Sequence, residues 1–212
     1  MMVHEMARKK STAKTEDAPK LFYIFYNQER WENWLTTLGD ADFDGDGEEM
    51  PEGFRMLENF SEDITLAVLK IIKLWQNERI SHEDAELKLA EVEEIVMGQV
   101  PEGELGEIIG SVQISMMVVF ASCRKYLAGE TEADIKALVK EGRKAAEKNP
   151  QEALEIASQI GSTVIGGAAC CGRYVKDTDE PTIFDEWLAA IEKMGEAMKS
   201  LKKFDEEPGE VT

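Results

Sequence analysis

Residues 108–120, with the sequence IIGSVQISMMVVF, are apolar on nearly every side when they are wound as an α-helix. A helix of that kind belongs in the middle of a bundle, where neighbouring helices cover each of its faces. Serine and glutamine interrupt the run, which falls short of the roughly 20 residues that cross a bilayer. We therefore predict a buried helix over residues 105–127 and no membrane span.

Amphipathic helices are predicted on the N-terminal side of this buried helix. Asn27 is a suitable N-cap for a helix that runs to about Leu38, because Trp31 and the residues three and four positions later share one helical face. Ser61 is predicted to cap a second helix, whose wide apolar stripe covers residues 64–75. Both helices would present one face to a common core.

Capping residues open the four remaining predicted helices. These signals are Ser81 with Asp84, Thr131 with Asp134, Asn149 followed by Pro150, and Pro181. The helix after Thr131 is predicted to reach about residue 148. The helix after Asn149 is predicted to span residues 150–173 and is rich in alanine and glycine, which let helix backbones approach closely.

The expected fold is all-α, a single-domain bundle of about six or seven helices with short loops. No pair of apolar runs joined by a hairpin turn is found, and no repeat of 20–50 residues stands out. We divide the chain into a flexible polar arm at residues 1–19, a helical domain at residues 20–204 and an acidic tail at residues 205–212.

Charge and cysteine content limit the class of protein. The chain has 212 residues, with 24 Lys and Arg against 43 Asp and Glu, and its formal net charge is -19. Such acidity argues against general nucleic-acid binding, which needs a positive surface. Three cysteines make no disulfide framework, and the charged N-terminus is unlike a signal peptide. We expect a cytoplasmic protein.

Residues 25–34, FYNQERWENW, and the acidic loop that follows resemble an archaeal family of uncharacterised proteins catalogued as domain of unknown function 2150. The resemblance extends through most of the helical region to the small-residue helix that carries Cys170 and Cys171. It implies an archaeal, cytoplasmic protein. It implies no activity and assigns no catalytic residue.

The loop at residues 40–52 holds the first candidate site, a set of alternating aspartates: Asp40, Asp42, Asp44 and Asp46. Acids at positions 1, 3 and 5 followed by glycine at 6 resemble the first half of an EF-hand, whose oxygens suit Ca²⁺ or Mg²⁺. The closing glutamate at position 12 is missing, since Pro51 or Gly53 stands there. Two interpretations stay open, a Ca²⁺ or Mg²⁺ site and a solvated acidic turn.

The cysteines are the second candidate site. Cys170 and Cys171 are adjacent, so on a helix their side chains diverge by about 100°. They lack the C-x-x-C spacing of metal and thioredoxin-like sites. Cys123 would approach them if the two helices pack together. The expected role of all three is that of small core residues, and the alternative is a thiol redox or metal role.

Two further groups of residues have both a functional and a structural interpretation. A basic helix face is either a docking surface for an acidic partner or a nucleic-acid phosphate, or simply a solvated face: Lys136, Lys140, Arg143, Lys144 and Lys148. The four tryptophans would stack on nucleic-acid bases or fill the core, and their helical spacing favours the core: Trp31, Trp34, Trp75 and Trp187.

The sequence as a whole predicts a cytoplasmic helical protein-interaction or regulatory module without an identifiable catalytic site. The expected partner is another protein or a second copy of this chain. The arm at residues 1–19 and the loop at residues 40–50 are the predicted contact regions, because termini and loops often carry function. The alternative is a metal-dependent or thiol-dependent enzyme, or a Ca²⁺-binding protein, that uses the loop at residues 40–52 or the cysteines.

Overall fold

The chain folds into α-helices joined by short connections. A computed structural model describes residues 24–44, 50–131, 133–169 and 181–205, and within them there are seven helices and no strand. The helices are α1 (Gln28–Gly39), α2 (Glu52–Gln76), α3 (His82–Val96), α4 (Glu104–Leu127), α5 (Ile135–Ala146), α6 (Pro150–Ile165) and α7 (Ile183–Asp205). The all-α prediction is confirmed. The predicted arm at residues 1–19 and nearly all of the predicted tail lie outside the described residues.

Helix α4 lies at the centre, in contact with α2, α3, α6 and α7. Ile109, Met116 and Phe120 on α4 are at most 1% exposed. Among the described helices, α4 is the one long and apolar enough to cross a membrane by length and composition. The buried side chains show that α4 instead serves as a core helix here, which agrees with the expectation of no membrane span.

Small residues let α6 pack closely against α4. A Cβ atom added to Gly161 would lie 1.9 Å from the Ser122 hydroxyl oxygen of α4, far inside any real contact. Ala157 and Ala153, one and two turns earlier on α6, are completely buried. The small-residue helix therefore permits close backbone approach, as the sequence predicted.

The predicted caps of α1, α3 and α6 are confirmed. Asn27 accepts a hydrogen bond from the Arg30 N–H, and Asn149 caps α6 ahead of a proline in the first turn. Ser81 and Asp84 form a reciprocal capping box at the start of α3. Each side chain satisfies a backbone N–H that has no partner within its own helix.

The predicted cap at Ser61 is wrong, because α2 begins nine residues earlier, at Glu52. Phe60 precedes the predicted start and is completely buried, so the apolar stripe of α2 extends further toward the N-terminus than the sequence analysis assumed. Ser61 is an interior residue of α2. Gly53 in the first turn packs against Phe43, where a Cβ atom would lie 2.8 Å from the ring.

Other helix ends also differ from the prediction. Helix α5 starts after Asp134, which caps it, rather than after Thr131. Helix α6 ends at Ile165, where Gly166 follows and Gly167 takes a φ of +106°, which favours glycine. The predicted continuation to residue 173 is wrong as far as residue 169, beyond which the prediction falls on residues that are not described.

Helices α5 and α7 are joined by an ion pair beside a close contact. Phe184 of α7 packs on Gly142 of α5, where a Cβ atom would lie 2.0 Å from the ring. Next to it, Arg143 donates two hydrogen bonds to Asp185 Oδ1, at 3.1 and 2.9 Å. Thr182 also donates its hydroxyl to Asp185 Oδ2 at 2.7 Å. One carboxylate thus caps α7 and fixes it to α5.

Helix α1 is attached to α2 through a single carboxylate. Arg30 donates from Nε to Asp63 Oδ2 at 2.8 Å and forms a second bond to the other oxygen. The indole N–H of Trp34 donates to Asp63 Oδ2 at 2.9 Å. Below this cluster, Trp31 and Trp34 pack against Phe60, with ring centroids 5.3 and 5.5 Å away.

Candidate functional site: an acidic groove between α2, α4 and α7

A groove runs along the surface between α2 and α7, with α4 at its base. Its first lobe encloses about 610 Å³. Met116 of α4 forms part of the floor and is 1% exposed. Ala189, Ala190 and Ala197 of α7, all half-buried, line one wall. Because these side chains are small, α7 leaves an apolar channel here instead of filling it.

The rim of this lobe is negatively charged. It carries four glutamates and one lysine: Glu58, Glu62, Glu186, Glu196 and Lys193. All five side chains belong to exposed residues, so they stay hydrated around the apolar floor. A groove with an apolar base and an acidic rim is complementary to an apolar surface that is flanked by cations.

A second lobe continues the groove toward the N-terminal end of α2. It encloses about 620 Å³ and shares Glu58, Ser61, Ser115 and Lys193 with the first lobe. Phe54 lines it and is 42% exposed. The side chains of this lobe are mostly apolar or neutral, so the acidic lobe passes into a more apolar one.

One ion pair crosses the boundary between the two lobes. Lys193 Nζ of α7 lies 3.3 Å from Glu58 Oε1 of α2, and the two side chains are 65% and 62% exposed. Exposed pairs of this kind contribute at most about 1 kcal/mol. The ion pair between Lys193 and Glu58 therefore breaks at little cost in free energy. The two lobes then form one continuous groove.

Met50 and Pro51, at the C-terminal end of the predicted acidic loop, line the second lobe. Met50, the first described residue after residue 44, is 60% exposed. The loop ends are held together, because Gly53 donates its N–H to the Asp42 carbonyl at 2.9 Å and Phe43 packs on Phe54 with centroids 5.5 Å apart. The groove thus adjoins a region that the sequence had marked for contact.

The predicted metal ligands are only partly described. Asp40, Asp42 and Asp44 lie within the described residues, and Asp46 does not. Asp42 Oδ1 accepts the N–H of Asp44 at 2.9 Å, so this oxygen already serves the turn. Among the described residues no group of three His, Cys, Asp or Glu side chains is placed to hold a metal ion. Binding of Ca²⁺ or Mg²⁺ at the loop stays a prediction.

Of the three cysteines in the second candidate site, the structure describes one. Cys123 is completely buried in α4, and burial raises the pKa of its thiol to about 12. A thiol with that pKa is almost entirely protonated at neutral pH and is a poor nucleophile. Cys170 and Cys171 lie outside the described residues, so their approach to Cys123 stays untested.

The basic face of α5 divides into two parts. Arg143 is engaged with Asp185, as described above. The remaining side chains belong to exposed residues: Lys136, Lys140, Lys144 and Lys148. Among the tryptophans, Trp31 and Trp187 are 2% exposed, which supports their interpretation as core residues. Trp34 and Trp75 are partly buried and pack against the same core.

The fold and the groove together define an all-α protein with an acidic, apolar-floored surface groove. The chain belongs to the family described as uncharacterized protein conserved in archaea (DUF2150), which matches residues 24–207. The resemblance seen at residues 25–34 is therefore confirmed. Comparisons with curated proteins and with solved structures find no match.

The sequence analysis missed the groove, although a signal for it exists. On α7 the bulky apolar residues between positions 184 and 201 form the stripe that faces the core. A second stripe beside it combines alanine with charge, at Ala189, Ala190 and Lys193. Small residues that adjoin a buried stripe mark a helix face that neither packs tightly nor extends into solvent. The opposite wall of the groove is formed by α2 and includes Glu58. This residue precedes Ser61, so the predicted start of α2 had left it outside the helix.

Proposed function

We propose that this protein is a helical interaction module that binds a basic, amphipathic segment of another protein in the groove between α2, α4 and α7. One observation carries the proposal, namely the apolar floor beneath a rim of four glutamates and one lysine. An amphipathic helix buries its apolar face in such a groove, and its flanking Lys or Arg side chains pair with the rim.

The open shape of the groove suits a helix rather than a small metabolite. The two lobes are open to solvent, and each exceeds 600 Å³. Small-molecule sites instead enclose most of their ligand's surface. The alanines of α7 leave room for side chains that insert from a partner, and exposed Phe54 and Met50 offer apolar contacts at one end. We propose that the module acts in the cytoplasm.

A synthetic peptide tests the proposal directly. The probe is a fluorescein-labelled helix of about 18 residues, or about 27 Å, with leucine on one face and lysine on the other. We expect saturable binding to the full chain by fluorescence anisotropy. A peptide of the same composition with scrambled spacing has the same charge and no apolar face, so we expect it to bind at least about tenfold more weakly.

Charge-matched variants separate the groove from the general acidity of the chain. Glu62→Lys with Glu196→Lys reverses two rim charges, and Glu147→Lys with Glu152→Lys makes the same net change on exposed residues elsewhere. We expect about a tenfold loss of affinity for the first pair and little change for the second. Equal losses would show that the peptide senses net charge alone, and the groove proposal would fail.

The alternative class, a metal-dependent or thiol-dependent enzyme, gains no specific support from the described residues. It stays a prediction that elemental analysis can test. Protein purified without a metal-affinity tag should carry stoichiometric metal if the loop at residues 40–52 supports such chemistry.

A further inference from the structure

One face of α4 is left open by the other described helices. Ile114 on this face is 38% exposed, although α4 is the central helix. A Cβ atom added to Gly110 would meet nothing within 4 Å. Met117 and Ala121 are only half-buried, and just 39% of the most apolar 18-residue stretch of α4 is buried. The groove uses a neighbouring side of α4, at Ser111, Val112, Ser115 and Met116.

The open face has the spacing of a coiled-coil seam. Its residues follow one another at intervals of three, four, three, four and three: Glu107, Gly110, Ile114, Met117, Ala121 and Arg124. Alternating intervals of three and four place side chains along one line of a helix, where a second helix can pack. The four middle residues are uncharged, and the two ends carry opposite charges.

We propose that a second copy of this chain packs antiparallel along the open face of α4. A two-fold axis between Ile114 and Met117 places each of these residues opposite the other type in the second copy. The same axis sets Glu107 opposite Arg124 of the second copy. Glu107 lies about 25 Å along α4 from the Arg124 of its own chain. Under this two-fold rotation, each residue of the seam meets a complementary residue of the second copy.

The charges select the antiparallel arrangement. In a parallel pair, Glu107 would face Glu107 and Arg124 would face Arg124, and like charges would repel at both ends. Arg124 already contacts Glu93 of α3, yet its side chain is 52% exposed. A guanidinium group has five N–H donors, so Arg124 can hold Glu93 and the Glu107 of a second copy together.

Gly110 supports close contact with another helix. Glycine inside a helix costs about 1 kcal/mol relative to alanine, and no contact within the described chain requires it here. In the antiparallel pair Gly110 lies opposite Ala121, so two small residues meet and let the helices approach. In the antiparallel pair, Glu107 and Arg124 of one copy face opposite charges of the other, so these two positions add no repulsion despite a net charge of -19 per chain.

Sedimentation of the full chain over a concentration series tests the proposal. We expect a reversible monomer–dimer equilibrium for the wild type. Ile114→Glu places a charge at the centre of the seam on an already exposed side chain, so it should weaken dimerisation at least about tenfold without unfolding the monomer. Lys136→Glu on α5 is the control for an altered exposed charge away from this face, and it should dimerise as the wild type does.

A complementation experiment tests the register. Glu107→Arg alone sets arginine opposite Arg124 at both ends of the dimer, and Arg124→Glu alone sets glutamate opposite Glu107. Each variant should therefore be mainly monomeric. An equimolar mixture should form heterodimers, because both ends then pair opposite charges.

Three results would overturn the proposal. One is a wild type that remains monomeric throughout the series, and another is a dimer that Ile114→Glu leaves unchanged. The third is a monomer that binds neutral phosphatidylcholine vesicles through this face, as judged by loss of vesicle binding in Ile114→Glu. Peptide binding in the groove is measured separately, so failure of either proposal leaves the other readout intact.

Discussion

Gly161 of α6 and Ser122 of α4 mark the closest approach of the two helices, since a methyl group on Gly161 would lie 1.9 Å from the serine hydroxyl oxygen. The Ser122 hydroxyl donates to the Val118 carbonyl at 2.6 Å, one turn earlier on α4, so it is not free to move aside. The α4–α6 contact therefore depends on the absence of a side chain at position 161.

Gly161→Ala should destabilise the fold by about 1–3 kcal/mol, because the added methyl group forces the two helices apart. Urea unfolding followed by circular dichroism measures the change. Gly110→Ala is the matched control on α4, where the new Cβ atom has open space. At protein concentrations low enough to keep the chain monomeric, it should stabilise by about 0.5–1 kcal/mol. The same sign for both variants would contradict the packing argument.

Ser81→Ala should cost about 1 kcal/mol of stability, because it removes both hydrogen bonds of the Ser81 side chain in the capping box of α3. Ser81→Asn retains a side-chain acceptor at the N-cap and should be close to the wild type. Thermal and urea unfolding distinguish the two variants. If alanine and asparagine prove equally costly, the hydrogen bond from the Asp84 N–H is not the source of the stabilisation.

The Arg143–Asp185 pair predicts a specific loss of stability in acid. Burial alone would raise the pKa of Asp185, but hydrogen bonds from Thr182 and Arg143 and the charge of Arg143 outweigh it and hold the pKa below its usual 3.8. The ionised carboxyl therefore stabilises the fold above pH 3.8, and this contribution is lost as the pH falls through the lower, folded-state pKa.

Unfolding free energies measured between about pH 6 and pH 2 test this linkage. Asp185→Asn should be less stable than the wild type at pH 6 and should lose less stability on acidification. Thr182→Val removes one donor to the same carboxylate, so its pH dependence should be intermediate. Parallel curves for all three proteins would show that Asp185 makes no contribution to the acid transition.

Cys123 should resist alkylation in the folded protein. Burial raises the pKa of its thiol to about 12, so little thiolate is present at pH 8 and the side chain is not accessible to reagent. Iodoacetamide treatment at pH 8 followed by peptide mass spectrometry should leave Cys123 unmodified in buffer and modified in urea. Rapid native modification would reopen a thiol role for this residue.

Helix positions were largely predictable because local signals determine them. The capping box at Ser81 and the proline after Asn149 fix helix starts through hydrogen bonds within a few residues. Ser61 misled the prediction because a good capping residue inside a helix looks the same in sequence as one at its start. The buried position of Phe60 decided the outcome, and that burial depends on Trp31 and Trp34 of α1.

The groove was not predictable in the same way, because its walls come from distant parts of the chain. Glu58 of α2 and Lys193 of α7 are 135 residues apart in sequence and yet form an ion pair across it. Local patterns identify which helix faces are apolar, but they do not say which faces meet. The acidic loop was recognisable from its composition. That Met50 lines the groove and that Phe43 packs on Phe54 became evident only from the structure.

The attachment of α1 through Asp63 has a consequence for the order in which the protein loses structure. Helix α1 packs mainly on α2 and α3, whereas α4 contacts four other helices. Local opening begins where few contacts must break, so amide protons of α1 should exchange with deuterated solvent well before those of α4. Helix α1 would then detach while the α4–α6–α7 assembly stays intact.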